Sequence, residues 1–146
     1  KFVDAYESIN KLFVHLFNDI LELEEKAVIT EEFKDLTNND MHIIEAVGLG
    51  EGDKMSNIAR KLGITVGSLT TSMNALVNKK YVLRERSEED RRVVNIHLTP
   101  KGEKAYHHHA EFHKKMVEAI LEHITEDEIP VLTKALEGLY QFFKTC

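Results

Sequence analysis

Cysteine is almost absent from this chain of 146 residues, since its single thiol belongs to the last residue, Cys146. A lone cysteine forms no disulfide within the chain, and we therefore expect a reducing, cytoplasmic environment. Long hydrophobic runs are also missing: none approaches the ~18–20 residues of a membrane span, so no membrane partner is expected. Glycine and proline do not occur before Gly48, which leaves the N-terminal third free to form uninterrupted helix.

The charge of the chain is distributed unevenly. The formal net charge is −6, which taken alone argues against a nucleic-acid partner. Residues 54–104, however, carry eleven basic and five acidic side chains, a local net charge of +6. The rest of the chain carries 8 basic and 20 acidic side chains, a net charge of −12. A positive segment of this kind attracts phosphates, and an ordinary solvated charged surface is the alternative.

Apolar spacing and capping signals predict helices in the first third of the chain. Apolar residues repeat at steps of three and four over residues 2–24, which indicates one long amphipathic helix. Thr37 is typical of the N-cap of a second helix, which Gly48 ends. The glycines over residues 48–53 follow a helix and have no strand before them. We therefore interpret them as a connecting turn and not as a nucleotide-binding loop.

The remaining two thirds of the chain show further helix starts on either side of a β-hairpin. A short helix over 57–62 is capped by Ser56 and ended by Gly63, and Thr65 caps the helix that follows. Thr99 and Pro100 predict a long helix that reaches about residue 123. The T-x-x-E capping box at residues 125–128 predicts a final helix. Alternating residues over about 82–98, with a charged tip between them, predict the hairpin.

This order of elements predicts a mainly α fold with a small β-hairpin wing. The chain is long enough, and at 42% hydrophobic residues apolar enough, to bury a core. We expect a single domain over residues 1–146 with a winged helix-turn-helix core over 37–98. The terminal helices over 1–30 and 99–146 carry apolar stripes that lie outside the winged core. We therefore expect these helices to form a dimerisation region.

A helix-turn-helix reads double-stranded DNA with its second helix in the major groove. The polar side chains of that helix, and of the starts of both helices, are of the types that contact bases and phosphates. A merely polar outer face is the alternative interpretation. The predicted DNA-binding residues on the helices are Lys54, Ser56, Thr65, Ser68, Thr70, Thr71 and Asn74.

The wing adds arginines beside that helix, on its first strand at Arg84 and Arg86 and at its tip. Arg91 and Arg92 are consecutive, so on an extended segment they point in opposite directions. One of the two can then enter the negative minor groove while the other stays against the protein. Asp90 repels phosphate, and we expect it to orient an arginine through a bidentate pair.

These residues carry a resemblance to the MarR family. Residues 90–92 and 98–102 resemble its wing signature and the helix start after it, and residues 58–65 and 76–82 resemble its helix-turn-helix. The resemblance covers nearly the whole chain. It implies a homodimeric winged-helix transcription regulator that reads a palindromic site, with Arg91 in the minor groove and Asp90 and Arg92 as a supporting salt bridge. Tyr81 departs from the pattern, because members of the family commonly have glycine there.

A narrower resemblance concerns the branch of this family that represses bacterial fatty-acid synthesis genes. It rests on residues 40–48, 65–71, 86–94 and 112–117. In that branch, acyl carrier protein loaded with a long acyl chain acts as corepressor, which implies a site between the first, second and fifth helices. Ordinary core packing is the alternative role of the lining candidates, which are Phe13, Phe17, Met41, Ile44, Phe112 and Met116.

Histidines raise a competing interpretation. His109 and His113 are four residues apart and share a helix face, a workable geometry for two imidazole ligands. With Glu24 and His42 they resemble the ligand set of zinc-sensing MarR members, and a zinc-responsive regulator is therefore the alternative. The same residues, with Glu24 as base, make the only case for a metal-dependent hydrolase. No nucleophile elbow or phosphate loop accompanies them, so we expect no catalytic residues, no cofactor and no enzyme.

Overall fold

The computed structural model describes residues 2–28 and 30–146, and within them the chain folds into helices and a small sheet, as predicted. The chain divides into two compact units, Lys1–Ala110 and Glu111–Cys146. The helices are α1 Phe2–Val28, α2 Asn38–Val47, α3 Met55–Leu62, α4 Val66–Asn78, α5 Pro100–Leu121 and α6 Ile129–Lys144, and the strands are β1 Asp53–Lys54, β2 Val82–Arg86 and β3 Val94–Leu98. Helix α5 begins in the first unit and ends in the second.

The core of the first unit lies where α2, α3, α4 and the sheet meet. The helices α3 and α4 form the predicted helix-turn-helix, and α4 presents its apolar face inward because apolar residues recur at helical spacing. Burial of these side chains is the main source of stability for such a small unit. The largest fully buried side chains are Tyr81, Met41, Ile43, Ile44, Ile58, Leu69, Met73, Leu76, Ile96 and Val82.

Helix boundaries in this unit follow the predicted caps, with one exception. Thr37 and Asp40 form a reciprocal capping box at the start of α2, and Gly63 ends α3 in the left-handed conformation that glycine adopts without cost. Ser56 is not an N-cap, which corrects the prediction. Lys54 takes that position without a side-chain cap, because the chain comes straight from strand β1 into α3.

The sheet has three strands in the order β1-β3-β2, all antiparallel. The pairing of β2 with β3 confirms the predicted hairpin, with Val82 opposite Leu98 at its base. Strand β1 was not predicted, because two residues show no alternating pattern. Gly52 allows it to reach β3: an added Cβ there lies 1.9 Å from the carbonyl oxygen of Ile96, so only glycine fits.

The C-terminal end of α4 is tied to α2 and to the preceding loop by two polar contacts. The ammonium of Lys79 binds Asp40 Oδ2 over 2.9 Å, and the hydroxyl of Tyr81 donates to Asp35 Oδ1 over 2.6 Å. Burial of the phenol, followed by its bond to the carboxylate, raises the pKa of Tyr81. The residue before Tyr81, Lys80, has φ 69°, in the left-handed region that favours glycine.

The second unit contains the end of α5 and all of α6. The capping box of Thr125 and Glu128 is present, as predicted, but it opens a short 3₁₀ turn, Glu126–Glu128, from which α6 continues. Helix α5 ends at Leu121, two residues before the predicted end. Within residues 2–28 and 30–146, no helix combines the length and the apolar character that crossing a membrane requires.

Candidate nucleic-acid interface

Helix α4 has a polar outer face opposite its buried one. Leu69, Met73 and Leu76 face the core, and Thr65 caps the helix by accepting a hydrogen bond from the backbone N–H of Ser68 over 3.1 Å. The remaining polar residues point outward because they occupy the other positions of the helical repeat. The predicted groove-contacting side chains are all exposed, and they are Thr65, Ser68, Thr70, Thr71 and Asn74.

Lys54, Ser56 and Arg92 line one surface depression of about 330 Å³. Lys54 directly precedes α3 and Ser56 lies in its first turn, where backbone N–H groups are without helical partners. Both side chains are exposed. The structure therefore brings the two phosphate-binding residues predicted at the start of α3 next to the tip of the wing. Met55, Val66, Val93 and Val94 form the rest of the lining.

The tip of the wing is a turn and not an extended segment. The backbone N–H of Val93 donates to the carbonyl oxygen of Asp90 over 2.9 Å, which closes a turn around Arg91 and Arg92. The expectation that the two arginines alternate along extended backbone is therefore wrong. The two arginines differ in their contacts, because Asp90 binds Arg92 and not Arg91.

Asp90 holds Arg92 through a bidentate ion pair, which confirms the predicted role of this carboxylate. Its Oδ1 accepts from the backbone N–H and from Nε of Arg92, both over 3.1 Å, and its Oδ2 accepts from Nη2 over 3.2 Å. These hydrogen bonds, the side-chain bond first, hold the pKa of Asp90 below its usual value. The guanidinium of Arg92 is thereby paired with the Asp90 carboxylate, while its side chain stays 91% exposed.

Arg91 is oriented through its backbone, so that its side chain stays exposed. Arg86, on strand β2, donates from Nη1 to the carbonyl oxygen of Arg91 over 2.7 Å. In the part of the chain that the structure describes, the Arg91 guanidinium makes no hydrogen bond or ion pair. The wing tip therefore presents the guanidinium of Arg91 without an ion-pair partner among the described residues, close in sequence to the exposed carboxylates of Glu88 and Glu89.

Arg84 connects the wing to helix α4. Its guanidinium donates from Nη2 to Oδ1 of Asn74, which lies on the exposed face of the helix. Sequence reasoning placed both residues at a DNA interface but did not pair them, since ten positions separate them and no local pattern links a strand to a helix. The hydroxyl of Thr70 is also engaged, because it donates to the carbonyl oxygen of Val66 over 2.8 Å.

Three of the four candidate metal ligands lie together in the first unit. The Oε1 atom of Glu24 is 3.3 Å from Nε2 of His42 and 3.6 Å from Nε2 of His109. Glu24 and His109 are both buried, at 8% and 3% exposure. Glu45, which the sequence did not single out, adds a carboxylate oxygen 3.5 Å from Nε2 of His109. His113 lies one turn further along α5, in the second unit.

The candidate acyl-pocket residues fall into three groups. Phe13 and Phe17 are exposed on α1, where Phe13 borders a depression of about 180 Å³ with Tyr6, Ile9 and Asn10. Met41 and Ile44 have no exposed surface and belong to the core of the first unit. The remaining two candidates, Phe112 and Met116, lie on the part of α5 that belongs to the second unit.

Comparison with known proteins identifies the family. The family described as "Transcriptional regulator SarA/Rot" matches residues 25–109. The uncharacterized HTH-type transcriptional regulator YpoP of Bacillus subtilis is 30% identical over 115 residues, which are 79% of this chain and 74% of YpoP. The HTH-type transcriptional regulator SarZ of Staphylococcus haemolyticus is 31% identical over 99 residues, which are 68% of this chain and 67% of SarZ.

Solved structures agree with this assignment. The structure of Streptococcus pneumoniae FabT in complex with DNA is 41% identical, with a TM-score of 0.84, and covers 96% of this chain and 98% of FabT. The S. aureus MepR–DNA complex is 22% identical, with a TM-score of 0.64, covers 88% of this chain and 96% of MepR, and shows the fold alone. The chain therefore belongs to the SarA/Rot family of transcriptional regulators, and its fold is the winged helix-turn-helix of the MarR type.

Proposed function

We propose that this protein is a homodimeric transcriptional repressor that binds palindromic double-stranded DNA. Helix α4 enters the major groove, and Arg91 of the wing enters the adjacent minor groove. The observation that carries the proposal is the combination of an exposed polar face on α4 with an exposed wing-tip guanidinium, Arg91, that has no ion-pair partner among the described residues. The 41% identity to FabT, whose solved structure contains DNA, supports it.

Exposed apolar faces support a second copy as the partner. Helix α1 exposes large side chains along most of its length, with Tyr6 at 70% and Phe17 at 50% exposure. Helix α6 does the same within the second unit, with Tyr140 at 58% and Phe143 at 51%. Apolar surface of this extent is covered by association in most soluble proteins. A closed twofold dimer carries two α4 helices and so reads two half-sites of a palindrome.

The finer proposal concerns the ligand. The resemblance to the fatty-acid branch supports long-chain acyl-acyl carrier protein as corepressor and fatty-acid synthesis genes as targets. A corepressor acts by binding the DNA-competent state more tightly than the other state. An acyl chain that reaches Met41 and Ile44 must open a closed core, whereas Phe13 and Phe17 already lie at the surface. Such an opening gives the ligand a way to change the position of α2 relative to α1.

The proposal is tested in two steps. Light scattering gives the oligomeric state, and in vitro selection from a random duplex library gives the operator; we expect a dimer and an enriched inverted repeat. A monomer without any enriched sequence contradicts the proposal. Long-chain acyl-acyl carrier protein is then titrated against the operator complex, with unacylated carrier protein as control. Tighter DNA binding with the acylated form alone supports the corepressor, and equal effects of both forms contradict it.

A zinc-responsive regulator is the second candidate, favoured by the Glu24, His42 and His109 cluster. Two ligand atoms that share a tetrahedral zinc at ~2.0–2.1 Å lie about 3.3–3.5 Å apart. The Glu24 oxygen lies 3.3 Å from His42, within that range, and 3.6 Å from His109, slightly beyond it; carboxylate and imidazole are ligands that zinc accepts. Bound zinc would hold α1, α2 and α5 at this point and would act as a Lewis acid only if a substrate reached it.

The zinc candidate is tested with the exposed member of the cluster, so that the core is left intact. His42→Ala is expected to weaken zinc binding about tenfold or more, while His15→Ala, on the exposed side of α1, leaves it unchanged. Zinc must also change operator affinity in the parent protein. If zinc binds but operator affinity stays constant while the acylated carrier protein changes it, zinc sensing is rejected.

A further inference from the structure

The hydrogen-bonding groups on the outer face of α4 are not all available to DNA. The Thr70 hydroxyl donates its one hydrogen bond to the carbonyl oxygen of Val66. The Oγ atom of Ser68 accepts a hydrogen bond from the hydroxyl of Thr65 over 3.0 Å. Ser68 therefore keeps its own proton for an outside acceptor, whereas Thr70 offers only lone pairs and a methyl group. Which base the helix can recognise therefore depends on the hydrogen bonds that its side chains already make within the protein, as well as on residue type.

Asn74 is a long polar side chain on the exposed face of α4, and Arg84 fixes its orientation. A guanidinium has no acceptor, so the amide of Asn74 must turn its oxygen toward Arg84 and its NH₂ group outward. Strand β2, paired along its length with β3, holds Arg84 in place. The exposed part of the pair consists of the amide N–H groups of Asn74 and the guanidinium N–H groups that Asn74 does not use. All of these groups are donors.

This arrangement changes what Asn74 recognises. An unrestrained asparagine pairs with adenine by donating to N7 and accepting from the N6 amino group. Here the N6 amino group of adenine would approach Oδ1 of Asn74, which already accepts a hydrogen bond from Arg84. The hydrogens of that amino group would then point at the positively charged guanidinium. Guanine presents two acceptors, N7 and O6, at the same edge of the major groove. A surface that consists of donors suits guanine at both atoms.

We propose that Arg84 is a specificity-determining residue, which acts through Asn74 so that the pair reads a guanine in each half-site. The proposal rests on the function proposed above, since it presupposes that α4 lies in the major groove. Arg84 acts as a positioning residue for Asn74 and as a second donor to the base. The wing strand therefore contributes to reading in the major groove as well as to the minor-groove contact.

The experiment is in vitro selection from a random duplex library with four forms of the full-length protein. These are the parent, Asn74→Ala, Arg84→Met and, as control, Arg86→Met, which removes a guanidinium from the same strand without touching Asn74. In the parent we expect a guanine preferred about tenfold at one position of each half-site. Asn74→Ala flattens the preference there. Arg84→Met keeps an aliphatic stem and frees the amide oxygen, so the preferred base changes from guanine to adenine.

The outcomes separate this proposal from the one it rests on. If the parent enriches no inverted repeat, the proposed function itself fails. If an inverted repeat is enriched but Arg84→Met keeps the base preference of the parent and loses affinity uniformly, Arg84 is a phosphate contact and the proposal is overturned. The same conclusion follows if Arg86→Met changes the preferred base as Arg84→Met does. Circular dichroism of each variant verifies the fold, so that a lost preference is not mistaken for unfolding.

Discussion

Replacing Tyr81 with phenylalanine removes the hydrogen bond to Asp35 and keeps the packing of the aromatic ring. The ring is fully buried and phenylalanine fills the same space, so no cavity forms. A hydrogen bond to a charged group typically contributes about 1.5–3 kcal/mol. Asp35 is 41% exposed, so water can replace the lost donor, which places the expected loss near the lower end. We expect Tyr81→Phe to lower the free energy of unfolding by about 1.5 kcal/mol.

The pH dependence of that loss identifies its source. Partial burial acts to raise the pKa of Asp35, but the Tyr81 hydrogen bond and then the nearby Lys101 ammonium outweigh it, and the pKa lies below its usual value. A carboxyl whose folded pKa is depressed contributes stability above its unfolded pKa of about 3.9 and loses it as the pH falls through the folded value. The difference between parent and Tyr81→Phe is therefore constant above about pH 5 and shrinks below about pH 4.

Urea unfolding at one fixed protein concentration measures both quantities, because the stability of a dimer depends on concentration. Tyr106→Phe is the matched control: it removes the same hydroxyl from a partly buried tyrosine that packs against the same core, and we expect a change within about 0.5 kcal/mol. An equal effect of the two substitutions at pH 7 would refute the reasoning. The reasoning would also be refuted if Tyr81→Phe lowered the free energy of unfolding by the same amount at a pH where Asp35 is protonated.

Two further predictions concern the backbone. Lys80→Gly should raise the free energy of unfolding by about 0.5 kcal/mol in urea, because glycine adopts the left-handed conformation at φ 69° without cost; a loss of stability contradicts this. Gly52→Ala should cost more than about 2 kcal/mol, since its Cβ would overlap the carbonyl oxygen of Ile96. Gly50→Ala is its control, with a similar φ of 94° and open space around the Cβ, and should cost only about 1 kcal/mol. Equal losses would show that the close approach to β3 does not matter.

Elements fixed by neighbouring residues were predictable from the sequence. Thr37, Thr65 and Gly63 act within one helical turn of their own positions, and the structure has each of them in its predicted role. The Asp90–Arg92 pair is also local, because a carboxylate reaches a guanidinium two residues away. Such contacts are encoded in short stretches of sequence, and no knowledge of the tertiary fold is needed to infer them.

The contacts that were missed join residues far apart in the chain. Tyr81 and Asp35 are 46 positions apart, and Asn74 and Arg84 are ten apart on different kinds of element. Strand β1 exists only because β3 lies beside it, so its two residues carry no signal of their own. Ser56 was assigned as a cap because serine favours that position, but the preceding strand sets the start of α3 at Lys54. In each case the contact or the helix boundary is set by tertiary packing, which the local sequence does not encode.

The central claim is that Arg91 carries the minor-groove contact of a DNA-binding dimer. It is tested most directly by the salt dependence of operator affinity for the parent, Arg91→Ala and Lys11→Ala, the last removing an exposed lysine of α1. Arg91→Ala should weaken binding and make the slope of log K against log salt shallower by about 1 per protomer, while Lys11→Ala leaves both unchanged. An Arg91→Ala protein with the affinity and salt slope of the parent would contradict the account.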